Sequence, residues 1–243
     1  MGQHGKHRSL VALKIPAALC LAAVMLATPA WSGCRLALVL AVDVSSSVDA
    51  REDALQRGGL ARALVAPDVV RAFLAGGDPV AIAIYEWSGR YHQTLIRDWT
   101  LITSQQDLQR VSTTVATSTR AYAEFPTAMG EALLFGRTLL DDAPACAAQT
   151  LDMSGDGSNN EGFGPREVYA TGVYDGVTVN GLVVNAAEFE AETQLIAYYA
   201  QDVLHGPSAF FEVAQGFEDF ERAMRRKLER EVSGLVVGVL DVD

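Results

Sequence analysis

Unbroken apolar runs alternate with amphipathic stretches along this chain of 243 residues. Leu36 to Val42 carries no polar residue, and residues 35–43 read as a strand buried on both faces. Residues 79–87 read as a second buried strand, and residues 177–184 as another apolar one. Residues 147–154 form a further strand that runs into Gly155-Asp156-Gly157, and residues 209–213 form a short last one. Residues 91–100 differ, because polar and apolar positions mix there after a Ser88-Gly89-Arg90 turn. That pattern predicts a hairpin and an antiparallel edge strand. Between the strands the rhythm is helical. Residues 50–74 form a helix broken near Pro67, with Asp49 and Glu52 as its capping pattern. Helices also cover residues 104–117, with Ser104 and Asp107 as the cap pair, and 127–140, and a short one follows Pro165. Residues 188–204 are helical up to the stop at Gly206-Pro207. Residues 217–232 put Phe217, Phe220, Met224 and Leu228 on one side, and Gly234 ends the helix.

Strands that alternate with helices imply a doubly wound α/β fold, a mostly parallel sheet with helices on both faces and one antiparallel edge strand. Ligands of such sheets bind at the carboxyl ends of the strands, near the switch point of strand order. Asp43 ends the first strand, and Asp156 lies just past the end of a later one. The predicted fold therefore puts both acids on one rim.

Composition fits a folded domain: 49% of residues are hydrophobic and 20% charged. The first 32 residues read as an export signal. Lys6, Arg8 and Lys14 precede an apolar run at 15–27, and Ala30-Trp31-Ser32 offers a small-residue cleavage pattern. The run is short for a membrane span, and Trp31 stands where a lipoprotein signal wants an aliphatic residue. This leaves a mature domain at 33–234 and a tail at 235–243, periplasmic or secreted, with no membrane insertion. Removing residues 1–32 takes away three positive charges and no negative one, so the net charge of −11 becomes −14. Such a surface repels phosphate backbones and anionic lipids, which argues against nucleic acid and favours a cation.

The sequence Asp43-Val44-Ser45-Ser46-Ser47 lays hard oxygen donors at a strand tip. Taken singly, each element has a plainer reading. Ser45 and Ser47 are good helix caps, Thr127 in "FPTAMGEAL" is a cap candidate, and Asp156 before Gly157 is a turn residue. Other chemistries compete. Gly155-Asp156-Gly157 with Asp175 gives only part of a dinucleotide fingerprint, because Asn160 takes the third glycine's place. An aspartyl phosphatase built on Asp43 lacks a second acid at Ser45. A serine hydrolase lacks its G-x-S-x-G elbow, and the mature chain holds only His92 and His205 as histidine bases.

Together, the D-x-S-x-S run at Asp43, Thr127 and Asp156 resemble the metal ion-dependent adhesion site of von Willebrand factor type A domains, in the right chain order. With the export signal, "SGDGSNN" and "RRKLEREV", the chain looks like a bacterial group of exported proteins that carry this domain without an assigned function. The resemblance implies that Asp43, Ser45, Ser47, Thr127 and Asp156 hold a divalent ion whose last position takes a Glu or Asp carboxylate from a protein partner. Two carboxylates and three hydroxyls suit Mg²⁺ or Mn²⁺ rather than Zn²⁺. The alternatives are a metal-dependent hydrolase or phosphatase using Asp43, and a scaffold whose metal site is idle. Trp87, Tyr91, Phe125, Asn159 and Asn160 are candidates for the rim. Asp152, an acid inside a buried strand, calls for a partner: it either orients the site from behind or makes a structural hydrogen bond.

The family's sheet makes the strands that carry Asp43 and Asp156 parallel neighbours. Cys34 lies nine residues before Asp43, and Cys146 ten before Asp156. At ~3.3 Å per residue both cysteines then fall ~30 Å from the metal, at the opposite end of the sheet. In an exported chain this favours a Cys34–Cys146 disulfide over free thiols.

Overall fold

A computed structural model describes residues 1–2, 33–185 and 189–237. Its strands are β1 (Leu36–Asp43), β2 (Val80–Trp87), β3 (Gln93–Ile102), β4 (Ala148–Gly155), β5 (Thr178–Val184) and β6 (Phe211–Ala214). Its helices are α1 (Ala50–Leu64), α2 (Pro67–Leu74), α3 (Gln105–Thr117), α4 (Met129–Asp141), α5 (Pro165–Tyr169), α6 (Phe189–Tyr198) and α7 (Phe220–Val237). A π-helical turn, Tyr199–Val203, extends α6. The strands form one sheet in the order β3-β2-β1-β4-β5-β6. Only the β2–β3 pair is antiparallel, at the edge, as the mixed pattern of the hairpin predicts.

Strand β1 shows why the central runs are apolar throughout. Leu36, Leu38, Leu40 and Val42 enter a core shared with Leu60, Phe73, Leu108, Phe220 and Leu228. Ala37, Val39 and Ala41 enter the opposite core, with Met129, Leu133, Met153, Tyr174 and Tyr199. A strand covered on both faces has no side on which to place polar residues. Side chains alternate along a strand, so Asp43 falls on the face of Tyr199, whereas Asp152, which pairs with Leu40, falls on the face of α7.

Local capping follows the sequence. The Asp49 carboxylate accepts from the Arg51 and Glu52 amides, and Glu52 reaches back to the Asp49 amide. Pro67 opens α2, whose C-terminal carbonyls at Ala72 and Phe73 accept from the buried Arg35 guanidinium at 2.8 and 3.0 Å. One helix end differs from the sequence reading: α7 runs through Gly234 to Val237. A lone glycine costs a helix only about 1 kcal/mol, and Leu235-Val236-Val237 follow it with no proline to stop the turn. Residues 3–32 of the segment read as an export signal, and residues 238–243 of the tail, lie outside the described residues. No helix among the described residues is long and apolar enough to cross a membrane.

Cys34 and Cys146 form a disulfide. Their separation of 112 residues equals the register offset of β1 and β4, where Leu36 faces Ala148. The bond thus joins facing positions just upstream of the two central strands. A loop of this length constrains the unfolded chain strongly, by up to about 4.7 kcal/mol in the chain-entropy model. Urea unfolding of the oxidised protein and of a Cys34→Ser/Cys146→Ser variant is expected to differ by about 2–5 kcal/mol in favour of the bonded form. Equal midpoints would remove the disulfide from any role in stability.

Candidate metal centre

The β1–β4 register that faces Val42 with Ser154 brings Asp43 level with Gly155, one residue short of Asp156. The two acids stand at neighbouring strand tips. Asp43 is fully buried, and its Oδ1 accepts from the Ser45 amide at 2.7 Å. Ser45 Oγ lies 3.1 Å from Ser47 Oγ, and Ser47 Oγ donates to Asp156 Oδ1 at 2.8 Å. One string of hydrogen bonds, through the Ser45 amide and the Ser45 and Ser47 hydroxyls, therefore links Asp43, Ser45, Ser47 and Asp156. Thr127, also buried, joins through Gly157: a Cβ added there would sit 3.7 Å from Thr127 Oγ1. Ser47 is exposed and Asp156 half-buried, so the string has a buried floor and an open side.

Asp49, not Ser45 or Ser47, caps α1, which leaves both hydroxyls to the string. Ala128 holds the N-cap position of α4, so Thr127 is not its cap. Asn159 and Asn160 do not act as free rim groups. Asn160 Oδ1 accepts from the Thr127 amide at 2.8 Å, and Asn159 Oδ1 accepts from the Met129 amide at 2.7 Å. They tie the loop after β4 to the start of α4 and so fix Thr127 beside Asp156. Trp87 is not a rim residue: it points into the core with Met129 and Tyr85 and is fully buried, because β2 is covered on both faces to its last residue. Phe125 is half-buried, stacked on His92 with ring centroids 3.4 Å apart. Tyr91 is 81% exposed. Asp152 lies on the other face of the sheet, beside Lys227, and does not orient the site.

Three residues that the sequence did not single out hold the loop. The Arg120 guanidinium donates to the carbonyls of Val44, Ser45, Val48 and Tyr122. Buried Gln56 donates to the Asp43 carbonyl at 2.8 Å. Buried Glu86 accepts from the Ala121 amide at 2.7 Å and from Arg57, and so anchors the segment that carries Arg120. Their targets are mostly backbone groups, which leave no side-chain pattern to read. The one available signal was a lone arginine in the polar stretch "TSTRAYAEF".

Electrostatically the site is loaded with like charge. Burial first, and then the neighbouring Asp156, push the Asp43 carboxyl up to about 7, against the pull of Ser45 and Arg120. Burial also raises Asp156, partly offset by its bond from Ser47. Asp43 Oδ2 is buried without a hydrogen-bond partner. A Cβ at Gly155 would lie 2.8 Å from that oxygen, so glycine keeps the backbone close to the acid. No trio of His, Cys, Asp or Glu side chains suited to a metal gathers among the described residues. The donor set is two carboxylates plus hydroxyls, which are hard ligands and fit a hard divalent cation.

Known structures share this fold. A von Willebrand factor type A protein from Catenulispora acidiphila superposes with a TM-score of 0.55 at 13% identity, over 84% of this chain and 43% of that one. Proximal thread matrix protein 1 of the mussel byssus, in a form with a zinc-occupied MIDAS motif, gives a TM-score of 0.58 at 16% identity, over 83% and 47%. The vWF domain of the type V pili tip protein Mfa5 from Porphyromonas gingivalis gives 0.54 at 11%, over 86% and 98%. The chain thus spans less than half the length of the first two and nearly all of the third. Comparison with curated proteins finds no match. Residues 33–236 match the model of a family described as protein of unknown function (DUF1194), and the chain, a von Willebrand factor type A fold, belongs to that family.

Proposed function

We propose that this chain is an exported, metal-dependent protein-binding module of the adhesion type, and not an enzyme. Asp43, Ser45, Ser47, Thr127 and Asp156 hold Mg²⁺ or Mn²⁺, some directly and some through water. The bound ion supplies a Lewis-acidic position for a Glu or Asp carboxylate of a protein partner. The observation that carries this reading is Asp43 Oδ2, a buried carboxylate oxygen without a hydrogen-bond partner, beside a second acid. A cation offsets both the missing partner and the repulsion. The mussel byssus thread matrix protein, with zinc in its own MIDAS motif, and the pili tip protein support the binding role by analogy of fold. Ring stacking occupies both histidines of the mature domain, His92 on Phe125 and His205 on Tyr169, which fits a binding role better than base catalysis.

The chain's own residues do the positioning. Arg120 and Gln56 fix the loop after β1, Asn159 and Asn160 fix the segment at Thr127, and the open side at Ser47 admits a partner.

Calorimetric titration with Mg²⁺ and Mn²⁺ is expected to show one site in the parent protein and none in Asp156→Ala. No binding in either would overturn the metal reading. Arg120→Ala is expected to weaken the metal about 10–100-fold, the range found when groups behind metal ligands are removed. Unchanged affinity would release Arg120 from that role. Affinity also depends on pH. Asp43 holds its proton more tightly folded, at about 7, than at its ordinary 3.8, so the metal-free fold loses stability as pH rises through that window. The cation must displace the same proton, so affinity is expected to climb toward pH 7 and level off above it. Titrations on either side of pH 7 that give equal affinity would contradict this.

A further inference from the structure

On the α7 face of the sheet, away from the metal rim, four polar side chains lie inside the core. Lys227 is 0% exposed, Asp152 1%, Asn180 3% and Glu231 7%. Asp152 and Asn180 face each other on β4 and β5, and Lys227 and Glu231 are one turn apart on α7. Lys227 Nζ lies 2.7 Å from Asp152 Oδ1 and 2.6 Å from Glu231 Oε1. Asn180 Nδ2 donates to that same Glu231 oxygen at 2.8 Å. The Phe210 ring lies 5.2 Å from the amine.

Two features set this cluster apart from an ordinary ion pair. One amine faces two carboxylates, so full ionisation would leave an uncompensated negative charge in the core, which is costly. The contact between Lys227 and Asp152 also lacks hydrogen-bond alignment: both Asp152 oxygens are buried without a hydrogen-bond partner, although the amine is at contact distance. A carboxyl carbon lies about 1.2 Å from its oxygen, so Nζ is within about 4 Å of Cγ. That is close to the separation of reacting atoms in a near-attack arrangement, and water is excluded.

The geometry points to an intramolecular amide bond between Lys227 Nζ and Asp152 Cγ, formed by the folded chain itself with Glu231 as the proton carrier. The protons balance within the cluster. With Asp152 as the acid, Lys227 as ammonium and Glu231 as carboxylate, the cluster is neutral overall. Lys227 passes one proton to Glu231, and its free amine attacks Cγ of Asp152. Glu231 takes a second proton from the attacking nitrogen as it gives one to the departing hydroxyl. The C–O bond breaks, the C–N bond forms and one water leaves. The products are an amide, water and a protonated Glu231. No oxidant, reductant or cofactor is needed. Burial and Glu231 push the Asp152 carboxyl up to about 7 despite Lys227, so its acid form, which the step requires, is populated near neutrality. The product replaces buried charges by a neutral amide and ties α7 covalently to the centre of the sheet.

Intact mass and peptide mapping of the reduced, purified protein test this, beside Glu231→Gln and Lys227→Met variants. The expected wild-type result is a mass lower by one water and a branched peptide that joins the segments of Asp152 and Lys227, with no tryptic cleavage after Lys227. Glu231→Gln, which preserves shape, is expected to give full mass and two linear peptides, as is Lys227→Met. A wild-type protein of full mass with linear peptides would overturn the inference whatever the variants do. A branch at Asn180, with loss of ammonia, or at Glu231 would overturn the assignment to Asp152.

Discussion

Two carboxylates that repel each other, held at the tips of adjacent parallel strands, are the constraint around which this end of the molecule is arranged. The chain cannot let Asp43 retreat: it is the last residue of a strand buried on both faces, and its register with β4 is set along the whole length of the pair. Nor can Asp156 swing far, because it follows Gly155 in the neighbouring strand and accepts from Ser47. The backbone forces the acids together, and burial raises the cost of their charge. A divalent cation is the simplest group that relieves both penalties.

The surrounding contacts serve that arrangement by fixing backbone and not by adding ligands. Arg120 gathers four carbonyls from two loops, and the buried Arg57–Glu86 pair holds the segment from which Arg120 reaches. An arginine with five donors in a rigid fork suits this task better than a lysine. On the far side, Asn159 and Asn160 substitute for the missing side-chain cap of α4 and lock Thr127 into place. The site is thus a set of loops sewn to one another at a strand rim, with one open side at Ser47. The opposite end of the same strand pair is closed by the disulfide, so β1 and β4 are constrained at both ends.

Much of this was legible in the sequence, and the reasons are specific. Apolar runs betrayed the central strands because both faces are covered, and the edge strand betrayed itself by losing that pattern. Once the fold made the strands of Asp43 and Asp156 parallel neighbours, the nearly equal setbacks of Cys34 and Cys146 brought the sulfurs together. Trp87 was misread because position in a strand end does not reveal which way a side chain points when the strand is buried on both sides. Gln56 could not be read at all, and Arg120 only as a lone arginine in a polar stretch, since both recognise carbonyls that every residue carries. Asp152 announced itself as an acid in a buried strand, but its partner is on the last helix, and no local pattern connects "LDMSG" with "RRKLEREV". The C-terminal helix end was misplaced at Gly234 because a glycine is a weak breaker when helix-compatible residues follow.

The most direct measurement is anomalous diffraction from crystals of residues 33–243 grown with Mn²⁺. A single strong peak bounded by the side chains of Asp43 and Asp156, with Ser45, Ser47 and Thr127 around it, is the predicted result. Manganese peaks only elsewhere on this acidic surface, with the space between Asp43 and Asp156 bridged by a shared proton instead, would contradict the metal centre and with it the binding role built on it.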